Sequence, residues 1–419
     1  MRITQALPPG ATFVAEQLLA PQHAVIAYCA AVAPHPPGVE AVPLAEAHGR
    51  VLAYDAVAAE PFPADARSTM DGFAVRARDG SVPRRIAGEV RMGRPPPAAL
   101  GPGEAMRIPT GGVLPAGADA VVPVEDALAE GDRLVIAEAV DSGAYVTPRG
   151  ADITAGDCVI GGGRRIGAPE LSVLATLGCS SVMVYRRPRF AIVSTGDELV
   201  DIDAPLATGQ IRDSNRWAIA GALAAMGADV VHLRRAGDAL DALRDRLAEG
   251  LACADAVMLT GGSSVGERDL TPDAIAEFAG PGVIVHGLRV KPGKPTVLAA
   301  VGETPVIGLP GNPASALMIL EAVCAPIVAQ MTGERERRSD SVACIAAEAF
   351  AGRAGWTWYI PAEIRMEGGV ASARPLALRS AFTSLLARAH GYVVLGEDRP
   401  RVEPGETVAV VRFSGGGRP

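Results

Sequence analysis

"ADAVMLTGGSSVGERDLTPDAIAEFA", residues 254–279, decides the fold. A short apolar run ends in a glycine pair, passes through a charged loop, and resumes with helical spacing from Thr271. This is a strand, a glycine-rich turn and a helix. Upstream, "RFAIVS" (189–194) reads as a buried strand and "SNRWAIAGALAAMG" (214–227) as a helix closed by Gly227. "ADVVHLRR" (228–235) and "DALDALRDRLAEG" (238–250) repeat the strand–helix pair. Downstream, "VIVHGLRV", "TVLAAV" and "TPVIGLP" are extended, and "NPASALMILEAVCAPIVAQM" (312–331) is a long helix. Strands alternating with helices predict a doubly wound, mainly parallel α/β sheet over about 185–332, covered on both faces.

The flanks differ in texture. Residues 1–60 are alanine-rich with helical spacing, broken by "APHPPG" at 33–38. From 61 to 146, short apolar runs cut by Gly and Pro ("RRIAGEV", "GEAMRIPTGG", "ADAVVPVED", "DRLVIAEAV") predict a β-rich domain. "RGADITAGDCVIGGGRRIG" (149–167) is turn-rich, and "APELSVLATLG" predicts a helix ending at Gly178. Residues 333–419 are strand-like again and predict a second small β-domain.

The chain of 419 residues has room for about three domains. A formal charge of −8 argues against a broad nucleic-acid surface, so a bound anion must meet a local patch. The six cysteines (Cys29, Cys158, Cys179, Cys253, Cys324, Cys344) show no C-x-x-C pair, which argues against a structural zinc site and for a reducing compartment. "AVIAYCAAVA" (24–33) is too short to span a bilayer, and no other run is expected to reach membrane length. The expectation is a cytoplasmic protein.

In open α/β sheets, ligands bind beyond the carboxyl ends of the strands. Four unusual loops fall there: "VSTGDEL" (193–199), "LTGGSSVGERDLTPD" (259–273), "VKPGKPT" (290–296) and "LPGNPAS" (309–315). Gly261 and Gly262 let backbone amides approach a ligand, and Ser263 and Ser264 add hydroxyls. Asn312 suits a helix N-cap behind Pro310 and Gly311, with Pro313 in the first helical position. The helix start is a natural anion site to which Ser315 could donate.

Of 39 Lys+Arg only Lys291 and Lys294 are lysine, leaving 37 arginines. An arginine-favouring chain that keeps two lysines between prolines has a use for a compact cation against an oxyanion. Two solvated lysines in a stiff turn are the plainer reading. Asp197, Glu198, Glu267 and Asp269 stand in the same loops, where carboxylates can hold Mg²⁺ or orient water. For Asp269, helix-start capping is the alternative. No histidine lies where a Ser-His-Asp hydrolase needs one. "TGGSSVG" is neither a Walker loop nor a G-x-G-x-x-G fingerprint, which excludes ATP hydrolysis of that type and hydride transfer.

In this order, the four loops resemble the molybdopterin molybdenumtransferase family, which includes bacterial MoeA and the gephyrin E-domain. "RSTMDGFAVRARD" (67–79), "MRIPTGGVLPAGADAVVPVED" (106–126), "VYRRPRFAIVSTGDELV", "QIRDSNRWAI" and "VEPGETVAVVRF" extend the resemblance over roughly 40 to 415. It implies a multidomain α/β plus β protein: a linking domain (1–60 and 147–184), an inserted β-rich domain (61–146), a molybdopterin-binding α/β domain (185–332) and a C-terminal β-barrel (333–419). It further implies a homodimer whose active site is shared between subunits. The reaction would hydrolyse adenylylated molybdopterin, place molybdate on the dithiolene sulfurs and release AMP, with Mg²⁺ present and neither nucleic acid nor membrane involved.

Carried across by motif, the resemblance makes Asp71, Thr110, Glu198 and Asp269 the catalytic candidates, with Glu198 and Asp269 also the candidate Mg²⁺ ligands. It places Lys291 and Lys294 near phosphate and molybdate oxygens and Ser384 near the same site. Asp152 and Asp238 match on weaker local grounds. The chain departs from the family pattern at Phe73, where Tyr is usual, and at Pro109, where Met is common. Pro361 stands where a G-x-x-E-F-L-R-A stretch carries Arg, a role that Arg365 or Arg379 could take. A molybdopterin adenylyltransferase, a non-catalytic molybdopterin carrier and a nucleotide-cleaving enzyme on the same α/β domain are the rival readings.

Overall fold

The computed structural model describes residues 18–261, 270–335, 340–377 and 383–415. The chain divides into two compact units: one of Met1–Ala53, Gly163–Gly167 and Ser181–Pro419, the other of Tyr54–Gly162 and Ala168–Ser180.

The larger unit is built on a six-stranded sheet. Its strands are β1 (Arg189–Thr195), β2 (Asp229–Ala236), β3 (Ala256–Gly261), β4 (Gly282–His286), β5 (Val297–Val301) and β6 (Thr304–Leu309), in the order β2-β1-β3-β6-β5-β4. The first four in that order run parallel, β5 is antiparallel to both its neighbours, and β4 at the edge therefore runs in the direction of the first four. The period-2 alternation of a strand explains why both faces are apolar. Phe190 and Ile192 of β1, with Ala256 and Met258 of β3, face one core with Ile219, Leu223 and Tyr28. Ala191 and Val193, with Val257 and Leu259, face the other with Leu243, Leu247 and Ile275. Each fully buried leucine contributes about 1.5–3 kcal/mol. The first face is covered by α1 (Asn215–Ala225), the second by α2 (Leu240–Cys253) and α3 (Leu270–Ala276). Gly227 follows α1 with φ +93°, a conformation that suits glycine at a helix end.

The long helix is less regular than its sequence predicts. It comprises α4 (Pro313–Ile319), a π turn (Leu320–Cys324) and α5 (Ala325–Thr332). Pro326 has no N–H for the carbonyl four residues back, and the widened turn falls just before it. At 20 residues, Pro313–Thr332 is long and apolar enough to cross a membrane, which corrects the expectation that no run reaches that length. Its most apolar stretch is 78% buried inside the protein, so it is a core helix.

A five-stranded barrel follows. Strands β7 (Ser341–Ala346), β8 (Thr357–Glu367), β9 (Val370–Pro375), β10 (Gly391–Leu395) and β11 (Thr407–Arg412) run β8-β9-β7-β11-β10, and β10 returns to β8. Closure leaves no free edge within the ring. Ile364, Val393, Leu395, Val408 and Val410 fill it. Pro361 sits next to Ala362, where β8 changes partner from β10 to β9, a place where a missing N–H is tolerated. A two-residue strand, Val290–Lys291, lies along the start of β8 in parallel, with Lys291 beside Trp358.

Within residues 18–60 the only α-helix among the described residues is Pro21–Val32, with a single 3-10 turn at Leu44–Glu46. Tyr28 pins it to β5 by donating its hydroxyl to the Ala299 carbonyl at 3.0 Å. Val39–Pro43 is a strand paired with Ser181–Tyr185. Here a distant partner overrides the helical leaning of an alanine-rich segment. In the same unit Arg165 donates two hydrogen bonds to Glu334 (3.1 and 2.7 Å) and one each to the carbonyls of Gly49 and Met226 (both 2.9 Å).

The smaller unit holds a six-stranded sheet in the order 120–123, 72–75, 104–108, 84–89, 133–136, 127–130. Phe73, Val122 and Leu134 pack on one face, Ala74, Met106 and Val121 on the other.

Candidate active site

Strands β1, β3 and β6 are register neighbours, so their carboxyl ends, Thr195, Gly261 and Leu309, lie side by side. Gly261 has φ +92°, and a Cβ there would sit 2.1 Å from the Thr195 carbonyl oxygen. A Cβ on Gly311 would sit 3.3 Å from the Gly261 Cα. Two glycines thus let three backbones converge where a ligand meets the sheet.

Side chains behind this floor lock it. Asn215, at the start of α1, donates its amide to Thr260 Oγ1 (2.9 Å) and to the Gly311 carbonyl (2.7 Å), and Thr260 Oγ1 lies 3.2 Å from the Pro310 carbonyl. Ser194 donates to Asp213, which pairs with Arg216 at 3.2 Å. Two oxygens here, Thr195 Oγ1 and Asn215 Oδ1, are buried and have no hydrogen-bond partner among the described residues. Buried polar atoms are nearly always bonded, so a pair of orphans at a strand-end crevice marks a place where a ligand can supply the missing contacts. Ser194, Asp213, Asn215, Arg216 and Thr260 went unnamed in the sequence reading. For Ser194 and Thr260 the signal available was a polar residue interrupting an otherwise apolar strand.

The acidic loops lace together around this floor. Asp197 N–H donates to Asp238 Oδ2 (3.2 Å) and Asp238 N–H to Asp197 Oδ1 (3.1 Å), joining the loops after β1 and β2. Glu198 is exposed, and its carboxylate lies over Gly196: a Cβ on Gly196 would be 2.6 Å from Glu198 Oε2. Among the described residues no three His, Cys, Asp or Glu side chains converge as a metal site. Mg²⁺ commonly takes one or two carboxylates and completes its shell with water and substrate phosphate oxygens. Glu198 fits that partial role and no fuller one. Gly262, Ser263, Ser264, Glu267, Asp269 and Arg379 lie outside the described residues.

Asn312 occupies the N-cap position of α4, with Pro313 after it, but its side chain makes no capping hydrogen bond. This qualifies the expectation that it serves as an N-cap. Ser315 is buried in the first turn. Lys294 is half-buried, and its carbonyl accepts the Leu288 N–H at 2.8 Å. Lys291 is exposed, and its ammonium lies 4.8 Å from the centre of the Trp358 ring. Ser384 opens a short exposed helix, Ser384–Arg388. Arg365 is exposed and pairs with Glu363 at 3.3 Å.

Asp71 and Thr110 belong to the smaller unit, where pairing of Gly72 with Ile108 brings them together. The Thr110 N–H and hydroxyl both donate to Asp71 Oδ1, at 2.7 and 2.9 Å. These two donors, the backbone N–H foremost, hold the Asp71 carboxyl below its ordinary range. Asp152 is exposed in the same unit, its N–H donating to the Phe62 carbonyl at 3.1 Å.

A doubly wound sheet with a glycine-lined crevice, a closed C-terminal barrel and an inserted β-rich unit define a multidomain protein of the molybdopterin-binding α/β class. Comparison with known proteins agrees. Residues 12–178 match the MoeA N-terminal region (domain I and II), 191–330 a probable molybdopterin binding domain, and 344–413 the MoeA C-terminal region (domain IV). The chain is 31% identical to a molybdopterin molybdenumtransferase of Haemophilus influenzae, over 91% of this chain and 95% of that one. It is 36% identical to one of Nostoc sp., over 70% of each. It is also similar to the crystal structure of a molybdopterin biosynthesis MoeA protein from Pyrococcus horikoshii, with TM-score 0.82 and 25% identity over 94% of this chain and 100% of that one. The chain belongs to the molybdopterin molybdenumtransferase family.

Proposed function

We propose that this chain is a transferase of molybdenum cofactor biosynthesis that inserts molybdenum, from molybdate, into adenylylated molybdopterin and releases AMP. The observation that carries the reading is the strand-end crevice, where Gly261 and Gly311 open the backbone and Thr195 Oγ1 and Asn215 Oδ1 await partners. A pterin nucleotide is rich in the N–H and O–H groups that would satisfy both.

In this reading Gly261, Gly262, Ser263, Ser264 and the 310–312 turn bind the substrate, with Ser315 behind them. Lys291, Lys294 and the helix start after Asn312 hold the anionic groups, and Ser384 adds a hydroxyl. Glu198 and Asp269 align the water or molybdate oxygen that attacks the pyrophosphate. Mg²⁺, held by Glu198 and Asp269 with substrate oxygens, would neutralise the charge on the phosphates. Asp71 and Thr110 act from the partner subunit of a homodimer. The division into 1–60 with 147–184, 61–146, 185–332 and 333–419 belongs to the same reading, as does a cytoplasmic location.

The test mixes purified protein with adenylylated molybdopterin and Mg²⁺, with and without molybdate. AMP release that requires molybdate is the expected result. Accumulation of adenylylated molybdopterin from molybdopterin and Mg-ATP would establish the adenylyltransferase instead. Full activity of Asp71→Ala and Glu198→Ala in restoring a molybdoenzyme would establish a carrier. AMP release indifferent to molybdate would mark a simple nucleotide-cleaving enzyme.

A further inference from the structure

Lys291 lies on the barrel as well as in the loop that joins β4 to β5 of the central sheet. Arg289 donates twice to Glu397, at 3.0 and 2.9 Å, and its carbonyl accepts the Thr357 N–H at 3.2 Å. These bonds lay residues 289–291 along β8, and the parallel register sets Lys291 beside Trp358. The ammonium then rests 4.8 Å from the indole centre, inside the cation–π range of about 6 Å.

The ring is not free to turn away. It packs over Gly352, where a Cβ would be 2.8 Å from the indole Cγ. Its Nε1 is buried without a hydrogen-bond partner among the described residues, so packing alone keeps it there. No carboxylate pairs with Lys291 among the described residues. An ammonium on a ring face keeps its full charge and two of its N–H directions, whereas one in a salt bridge is already neutralised.

We propose that Trp358 is a positioning residue: its ring holds the Lys291 ammonium in place without neutralising it, and so sets affinity for a tetrahedral oxyanion. The ligand class is a dianionic oxyanion, either molybdate or a phosphate of the pterin nucleotide. This inference rests on the reading of Lys291 as an anion-holding group.

The test measures molybdate-dependent AMP release by Trp358→Phe, Trp358→Leu and Trp358→Glu, and by Trp358→Leu in a Lys291→Met background. Trp358→Leu should raise KM for one of the two oxyanion substrates about three- to tenfold with kcat changed by less than about twofold, while Trp358→Phe stays near wild type. Trp358→Glu should lose more, because a carboxylate caps the ammonium. In the Lys291→Met background Trp358→Leu should add nothing. A rise in KM for molybdate alone assigns the ammonium to molybdate, and a rise for the pterin nucleotide alone assigns it to phosphate. Unchanged KM values in Trp358→Leu, or an equal loss with Lys291 already gone, would overturn the proposal.

If the wild-type chain shows no molybdate-dependent release, the functional reading fails separately. The platform is then tested by fluorescence in a chain keeping Trp358 alone (Trp217→Phe, Trp356→Phe), titrated with inorganic phosphate and with molybdate. Lys291→Met should change the emission and abolish its response to either anion. An emission indifferent to Lys291→Met would overturn the contact itself.

Discussion

Thr110 gives both its backbone N–H and its hydroxyl to a single carboxylate oxygen of Asp71, at 2.7 and 2.9 Å. Both donors favour the ionised acid, so the folded pKa lies below the unfolded one. The sign follows from linkage: the contact contributes fully above about pH 4 and is lost as pH falls through the lower folded value. Thr110→Val keeps the N–H and removes the hydroxyl, so the Asp71 midpoint should rise part of the way to the ordinary value of about 3.9. Carboxyl-carbon NMR titration of the two proteins checks this. An unmoved midpoint would show that the hydroxyl does not act on the acid.

Gly261→Ala should be the most damaging single-methyl addition in the crevice. It forces a side chain onto φ +92° and places Cβ 2.1 Å from a backbone oxygen. Strain and overpacking together cost about 2–4 kcal/mol. Gly311→Ala meets its neighbour at 3.3 Å and should cost less than about 1 kcal/mol, a contact that a small shift relieves. Urea denaturation of the two variants ranks them, and equal losses would contradict the geometry.

Arg165 holds three chain segments at once through Gly49, Met226 and Glu334. Arg165→Ala should cost on the order of 2 kcal/mol, since it strands a partly buried carboxylate and two carbonyls. Arg165→Lys should recover little, because one ammonium cannot reach partners spread around a guanidinium fork. Full recovery in the lysine variant, measured by denaturant midpoint, would reduce the clamp to a simple charge pair.

Lys294→Arg keeps the charge and changes its shape. If Lys294 holds an oxyanion as proposed, the planar fork does not fit a point-charge site, and KM for molybdate should rise about tenfold or more. Wild-type molybdate dependence of AMP release in that variant would remove Lys294 from the anion site.

The central sheet was legible because its inner strands are buried on both faces and therefore read as unbroken apolar runs such as "RFAIVS", with helices of plain period between them. The crevice was legible only in outline. Glycines at strand ends announce it, but the bonds that shape it join residues far apart, such as Asn215 to Gly311, 96 positions away. Local pattern carries no trace of such a bond. Likewise nothing in "VKPGKPT" announces that Lys291 will lie on an indole, because the partner comes from a barrel strand later in the chain. Residues 39–43 read as part of a helical stretch and form a strand, since their partner at 181–185 is equally remote.

The widened turn at Leu320–Cys324 takes up one residue more than an ordinary helical turn would. Each residue advances a helix by about 100°. Excising one residue from that turn would restore the ordinary ladder and leave everything beyond it in place, whereas tightening the turn with all its residues kept would rotate everything beyond it by that angle. Ile327, Val328 and Met331, now facing inward, would swing sideways while every amino acid kept its identity. The turn is thus a place where this helix can lose one position without turning its inward face.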